Sequence, residues 1–194
     1  VSVGNYERDF NSENPEFTLD YTGFVRDEDI RVIDTCPYAY TSAKKDSNVG
    51  TYTVNITGGD DNNYFFNYSS GKLTINKAEQ DLIWNQDLTN LAVGEQVKLL
   101  AEATSGLEIT YSLDQNEICE VYSTGKSVYL DCKTKGEIQI RASQDGNGNY
   151  YATPRTSKKI VVSSSSTEKP LLTIKQANLG SISTKVERGS VYEF

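Results

Sequence analysis

No histidine and no methionine occur in the 194 residues. The first absence removes the Ser-His and Cys-His nucleophile pairs and most zinc and haem ligand sets together. The three cysteines, Cys36, Cys119 and Cys132, include no C-x-x-C pair, so thiolate zinc sites go as well. Basic residues are in deficit: 19 Lys and Arg against 27 Asp and Glu leave a formal charge of −8. With no basic stripe, such a surface repels phosphate backbones, which argues against a nucleic-acid partner. No apolar run approaches the roughly 18 residues of a membrane span, so no membrane insertion is expected within this chain. No cationic segment precedes an apolar one as in a leader peptide. Because the chain starts at Val1 and lacks methionine, it reads as a processed or excised piece, and the missing leader argues neither for nor against secretion.

What the chain does have is tyrosine. Thirteen Tyr and six Phe, with many Thr, Val and Ile, favour strands, because branched and aromatic side chains pack well on a pleated surface. The expected class is all-β (mainly β). Residues 1–78 alternate strand-like runs with turns, broken by "RDEDIRVI" (26–33), where Ile30 and Ile33 at i, i+3 predict one short helix. Residues 79–162 hold seven short strands at about ten-residue spacing, the pattern of a β-sandwich. "SSSSTEKP" (163–170) reads as a Ser-rich linker, and residues 171–194 as the truncated start of a third β module, a short β tail too small to bury a core alone. "KLTINKA" (72–78) and "LLTIKQA" (171–177) are alike, but over too few residues to establish a repeat.

Chemistry-bearing residues are sparse. In "GTYTVNITGGDDNNYFFNYSSGKLTINKA" (50–78), alternation places Tyr64, Phe66 and Tyr68 on one strand face, with "SSG" returning the chain through Leu73 and Ile75. Such rings either hold a small sheet together or form a binding platform, and the first reading is the plainer one. "GGDDNN" (58–63) and "QDGNGN" (144–149) gather oxygen ligands. Asp145, Asn147 and Asn149 have the spacing of a calcium loop's first ligands, but Thr156 stands where a bidentate Glu is needed, so tight turns are expected and no cofactor or metal. Paired carboxylates for glycoside chemistry need a cleft and a stacking aromatic, and Asp27, Glu28 and Asp29, or Asp114 and Glu117, lie in short, polar, turn-like stretches, so no enzyme is expected. The candidates for sugar contact are Trp84, Tyr150 and Tyr151, although Trp84 also fits a core position alternating with Leu82. Cys119 and Cys132 lie six residues either side of Gly125-Lys126. A two-residue hairpin loop there makes them face one another, either as a disulfide or as two buried thiols.

The ordered pieces "NPEFTLDYTGF", "SNVGTYTVNITGG", "NYFFNY" and "GKLTINKA" resemble the MBG-type (YGX) domain of bacterial surface proteins, across nearly all of residues 1–78. Phe10-Asn11 stands where the family has Tyr-Gly. "LAVGEQVKLLAEATSGLEITYSL" and "IQIRASQDGNGNYYA" resemble a bacterial immunoglobulin-like repeat, whose members often carry a cysteine at the position of Cys119 but the second nearer Ile138. The resemblance implies a β-grasp-like domain (1–78) followed by an Ig-like sandwich (79–162), in tandem, as in cell-surface proteins of gut Bacteroidetes. It implies an extracellular, non-catalytic, adhesin-like spacer. A glycan- or host-protein-binding module with its own site is the alternative, with a host or bacterial surface glycan or protein as partner.

Overall fold

The computed structural model describes residues 1–164, 171–176 and 180–185. Most of the expected Ser-rich linker, and the rest of the tail, therefore lie outside the described residues. The chain divides into two compact units. The first comprises Val1–Asp81 with Ala103–Leu107 and Gln144–Pro154; the second comprises Leu82–Glu102, Glu108–Ser143 and Arg155–Phe194. Two short pieces that follow residue 79 in sequence thus belong with the first unit.

In the first unit, β1 (Ser2–Val3) pairs with β3 (Leu19–Asp20). A four-stranded mixed sheet runs in the order β2 (Tyr6–Asp9), β6 (Gly71–Asn76), β5 (Gly50–Asp60), β4 (Thr35–Thr41), with β2 and β6 parallel. Period-2 alternation builds it: Val54 and Ile56 of β5, and Leu73 and Ile75 of β6, all point to one face and are buried with Val3 and Ala43. Gly71 is required where it stands, because a Cβ there would lie 1.9 Å from the carbonyl oxygen of Gly4. Arg8 is buried without a carboxylate partner among the described residues. Its guanidinium donates instead to Asn14 Oδ1 (2.7 Å) and to the carbonyls of Asp9, Lys44 and Lys45.

The expected short helix shrinks to a single 3₁₀ turn over Ile30–Val32, capped by the Asp29 carboxylate on the Arg31 N–H. Arg26 and Asp27 ahead of it adopt left-handed backbone (φ 53° and 61°), and branched Ile30, Val32 and Ile33 disfavour continuation. A β-grasp lays a helix across its sheet. No α-helix occurs among the described residues, so the grasp-like detail finds no support.

In the second unit, β11 (Thr110–Leu113), β14 (Gly136–Ser143), β15 (Thr156–Ser163) and β8 (Asn90–Ala92) form one sheet, with β15 and β8 parallel. The strands β12 (Cys119–Thr124), β13 (Ser127–Cys132) and β9 (Gln96–Lys98) form a second. Their inward residues share one core that includes Leu130, Ile138, Ile140, Ile160 and Val162, which makes a two-sheet sandwich. β12 and β13 turn at Gly125-Lys126, with Gly125 at φ 61°, in a register that pairs Cys119 with Cys132. The two sulfurs form a disulfide inside the core, while Cys36 is free and exposed on β4. Short β7 (Leu82–Ile83) pairs with β10 (Glu102–Ala103), and the tail contributes an antiparallel pair, β16 (Leu171–Gln176) with β17 (Gly180–Lys185).

Candidate functional site

The segment "YFFNYS" does not form the expected strand. β5 ends at Gly58-Gly59-Asp60, both glycines having positive φ (73° and 85°), and the chain then turns on the Asp61 carboxylate, which accepts the N–H groups of Asn63 (2.7 Å) and Tyr64 (3.0 Å). These backbone donors, first that of Asn63, hold the Asp61 carboxyl below the usual carboxylate range. From there residues 64–68 run outside the four-stranded sheet, and the backbone next bridges to a strand at Ser69–Ser2. Phe66 and Tyr68 stack (centroids 6.1 Å apart) close over Gly59, and the Tyr68 hydroxyl donates to the Gly58 carbonyl. A Cβ at Gly59 would come within 2.8 Å of that hydroxyl, so a glycine is needed for the rings to lie this close.

Across from this segment lies the loop after β3. Tyr21 stacks on Phe24 (6.3 Å), and Phe24 meets Tyr64 edge to face (5.5 Å). Tyr64 clamps the loop: its hydroxyl accepts the Val25 N–H (3.2 Å) and donates to the Glu28 carboxylate. The bond to Glu28 is the main reason the Tyr64 phenol is pushed above its ordinary value. The left-handed Arg26 and Asp27 lie between these two attachment points. Asp29 then makes a forked ion pair with Arg31 (2.6 Å to Oδ2), which draws its carboxyl down to about 2. Burial, and next the Cys36 thiol beside it, push the Tyr21 phenol up.

Between the loop and the aromatic segment is a cavity of about 320 Å³, lined among others by Tyr21, Thr22, Phe24, Tyr64, Phe65 and Asn67. Phe65 has no packing at all, with a relative exposure of 102%. The side chains of Thr22 and Asn67 make no hydrogen bond among the described residues, whereas the Tyr64 hydroxyl and Glu28 engage each other. An open groove of about 500 Å³ adjoins the cavity through the shared Tyr21 and is lined by Phe17, Leu19, Ile30 and Tyr38. Tyr38 and Tyr40 alternate on the outward side of β4, an edge strand, at 62% and 48% exposure.

The residues singled out from sequence fall elsewhere. Trp84 is buried in the sandwich core, edge to face with Tyr111, with Lys158 Nζ 5.3 Å over its ring. Tyr150 is half-buried against Phe10 (5.3 Å), and Tyr151 is exposed with Lys77 Nζ 5.8 Å from its ring. In "QDGNGN" the Asn147 side chain accepts the N–H groups of Asn149 and Tyr150, and Asn149 bonds Asn48 and Val49, so these amides hold the turn within the first unit. Gly146 is needed there, since a Cβ would lie 2.5 Å from the Tyr150 oxygen. The Asp114 carboxylate accepts the Gln139 N–H (2.8 Å). The signal for the aromatic cavity was in the sequence as "YTGF" and "NYFFNY", but nothing local shows that segments forty residues apart meet.

A family model described as MBG domain (YGX type) matches residues 1–74. No curated protein sequence matches the chain. Solved structures that it resembles include domains 4 and 5 of the S-layer protein SbsC, with TM-score 0.35, 11% identity, and coverage of 65% of this chain and 75% of that one. Others are protocadherin gammaB7 EC3-6 (0.36, 11%, 66% and 34%) and human protocadherin-24 EC1-2 (0.35, 12%, 84% and 94%). Likeness at this level identifies no shared fold.

Proposed function

We propose that this chain is a non-catalytic, extracellular piece of a bacterial surface protein, of the Bacteroidetes kind that the sequence resemblance implies, acting as an adhesin-like spacer. The observation that carries this reading is the pair of cysteines closed on one another inside the second unit's core, since structural disulfides persist in oxidising compartments outside the cytosol. The MBG match over residues 1–74 supports it, since the resemblance carried by those motifs is to domains of bacterial surface proteins. Of the carboxylates weighed as acid–base groups, Asp29, Glu28 and Asp114 are each engaged by a local donor, which supports a non-catalytic reading. The Ig-like character of the sandwich and the tandem arrangement belong to the same proposal.

Antibodies raised against the chain should label intact, unpermeabilised cells of the source bacterium, and external protease should remove the label. Labelling only after permeabilisation overturns the surface reading. One observation favours ligand binding in addition to spacing: the aromatic rings beside free polar groups in the first unit.

A further inference from the structure

We propose that the aromatic cavity and its adjoining groove in the first unit form a binding site for a neutral oligosaccharide. This does not depend on where the protein resides. The surface offers rings at two connected places, Phe65 with Tyr64 at the cavity and Tyr38 at the groove, with Tyr21 common to both. A pyranose ring presents an apolar C–H face and a polar edge of hydroxyls. An exposed aromatic face covers the first, and unpaired hydroxyl and amide groups satisfy the second. Thr22 and Asn67 are the unpaired groups here, and the flanking Gly23 leaves its surroundings open, with nothing within 4 Å of where a Cβ would stand.

Charge and size narrow the class. No lysine, arginine, aspartate or glutamate side chain lines the cavity, so no side chain there pairs with a phosphate, a carboxylate or an ammonium group; the charges nearby include the Val1 amino group, which donates to the Asn67 carbonyl (2.8 Å), and Glu16 on the groove. At about 320 Å³ the cavity is at the lower end of the ligand-site range of about 300–1,000 Å³, room for a small unit rather than a large one. The continuation past Tyr21 into the groove is what makes the ligand a chain of such units. The loop that carries Tyr21 and Phe24 is also fixed in advance: Tyr64 holds it at Val25 and Glu28, on either side of two residues in left-handed backbone. Strained backbone kept in place by specific contacts is a recurrent feature of ligand clamps. Preorganisation of this kind lowers the ordering cost of binding.

The test is calorimetric titration of the intact chain with mono- through tetrasaccharides of glucose (β-1,4), mannose (α-1,2) and N-acetylglucosamine (β-1,4). At least one series should bind, with affinity rising tenfold or more from mono- to trisaccharide. Phe65→Ala should weaken the trisaccharide tenfold or more with an unchanged melting temperature, because that ring packs on nothing and its loss removes no folding contact. Tyr38→Ala should weaken the tetrasaccharide and leave the monosaccharide as it was. Absence of binding in every series, wild-type affinity in Phe65→Ala, or loss in Tyr151→Ala with Phe65→Ala unaffected would each overturn the proposal.

Discussion

The two units solve the same problem with different material. The second closes two sheets over a core of twelve buried residues among those described, takes in the chain's one tryptophan, and fastens the hairpin β12–β13 with a disulfide. The first gathers a cluster of six buried apolar residues against a single mixed sheet, has no disulfide, and leaves Phe65, Tyr38 and Tyr40 exposed. A core of six small and medium side chains contributes little transfer free energy against the chain entropy of nearly a hundred residues. The first unit makes up part of the difference with polar fastening, as at Arg8, Asn147 and Tyr64. Where stability comes from scattered hydrogen bonds and close backbone contacts, aromatic rings are released for other uses. Where it comes from an apolar interior, they are consumed.

The comparison is broken most severely at Gly71. Its missing Cβ faces backbone atoms, the carbonyls of Gly4 (1.9 Å) and Val3 (2.6 Å), which have no rotamer to yield. Gly71→Ala should cost the first unit about 3 kcal/mol or more. Amides of β5 and β6 should lose hydrogen-exchange protection, while Trp84 fluorescence, which reports on the sandwich, keeps its urea midpoint. A shifted Trp84 midpoint would mean that the two cores do not stand on separate footings.

The converse experiment acts on the second unit. Cys119→Ala with Cys132→Ala opens a closed loop whose ends lie 13 residues apart. On the chain-entropy model a loop of this length is worth about 3 kcal/mol. Trp84 fluorescence should therefore report a midpoint lowered in proportion, while exchange protection in β5 and β6 stays as it was. Non-reducing peptide mapping of the wild-type chain gives the companion result, a Cys119–Cys132 cross-linked fragment with Cys36 as a free thiol.

What sequence reading reaches in each unit follows the range of the forces involved. Alternation marks Leu73 and Ile75, and Ile138, Ile140 and Ala142, as inward residues because period 2 is a property of the strand itself. The Gly125-Lys126 loop is equally local and sets the register of β12 on β13. The aromatic segment misleads for the opposite reason. Tyr64, Phe66 and Tyr68 alternate as a strand should, yet the chain has already been turned away by Gly58-Gly59 and the Asp61 turn, and the rings' partners are Tyr21 and Phe24, far earlier in sequence. The same holds for residues 144–154. They follow the second unit's strands in order, but the bonds of Asn149 to Asn48 and of Gln144 to Gln80 bind them to the first. No composition or spacing carries that information.

The smallest effect is expected at Asp29, where the comparison can be sharpened without disturbing either core. Its carboxyl is drawn below the ordinary 3.8 to about 2, chiefly by the Arg31 side-chain hydrogen bonds and next by the Arg31 N–H. The folded value lies below the unfolded one, so the pair's contribution is fully present above pH 3.8 and is lost as the pH falls through about 2. Both partners are well exposed, so salt screens the pair and the effect on global stability is small. The consequence is local: the 3₁₀ turn loses its cap, and the loop that carries Tyr21 and Phe24 loosens at its end. Carboxyl-detected NMR should place the Asp29 midpoint near 2, with chemical shifts of Phe24 and Tyr64 moving in step. Asp29→Asn should produce those shifts at neutral pH without any titration. A midpoint near 3.8 would remove the ion pair from the account of how the aromatic cavity is held, leaving Tyr64 as its clamp.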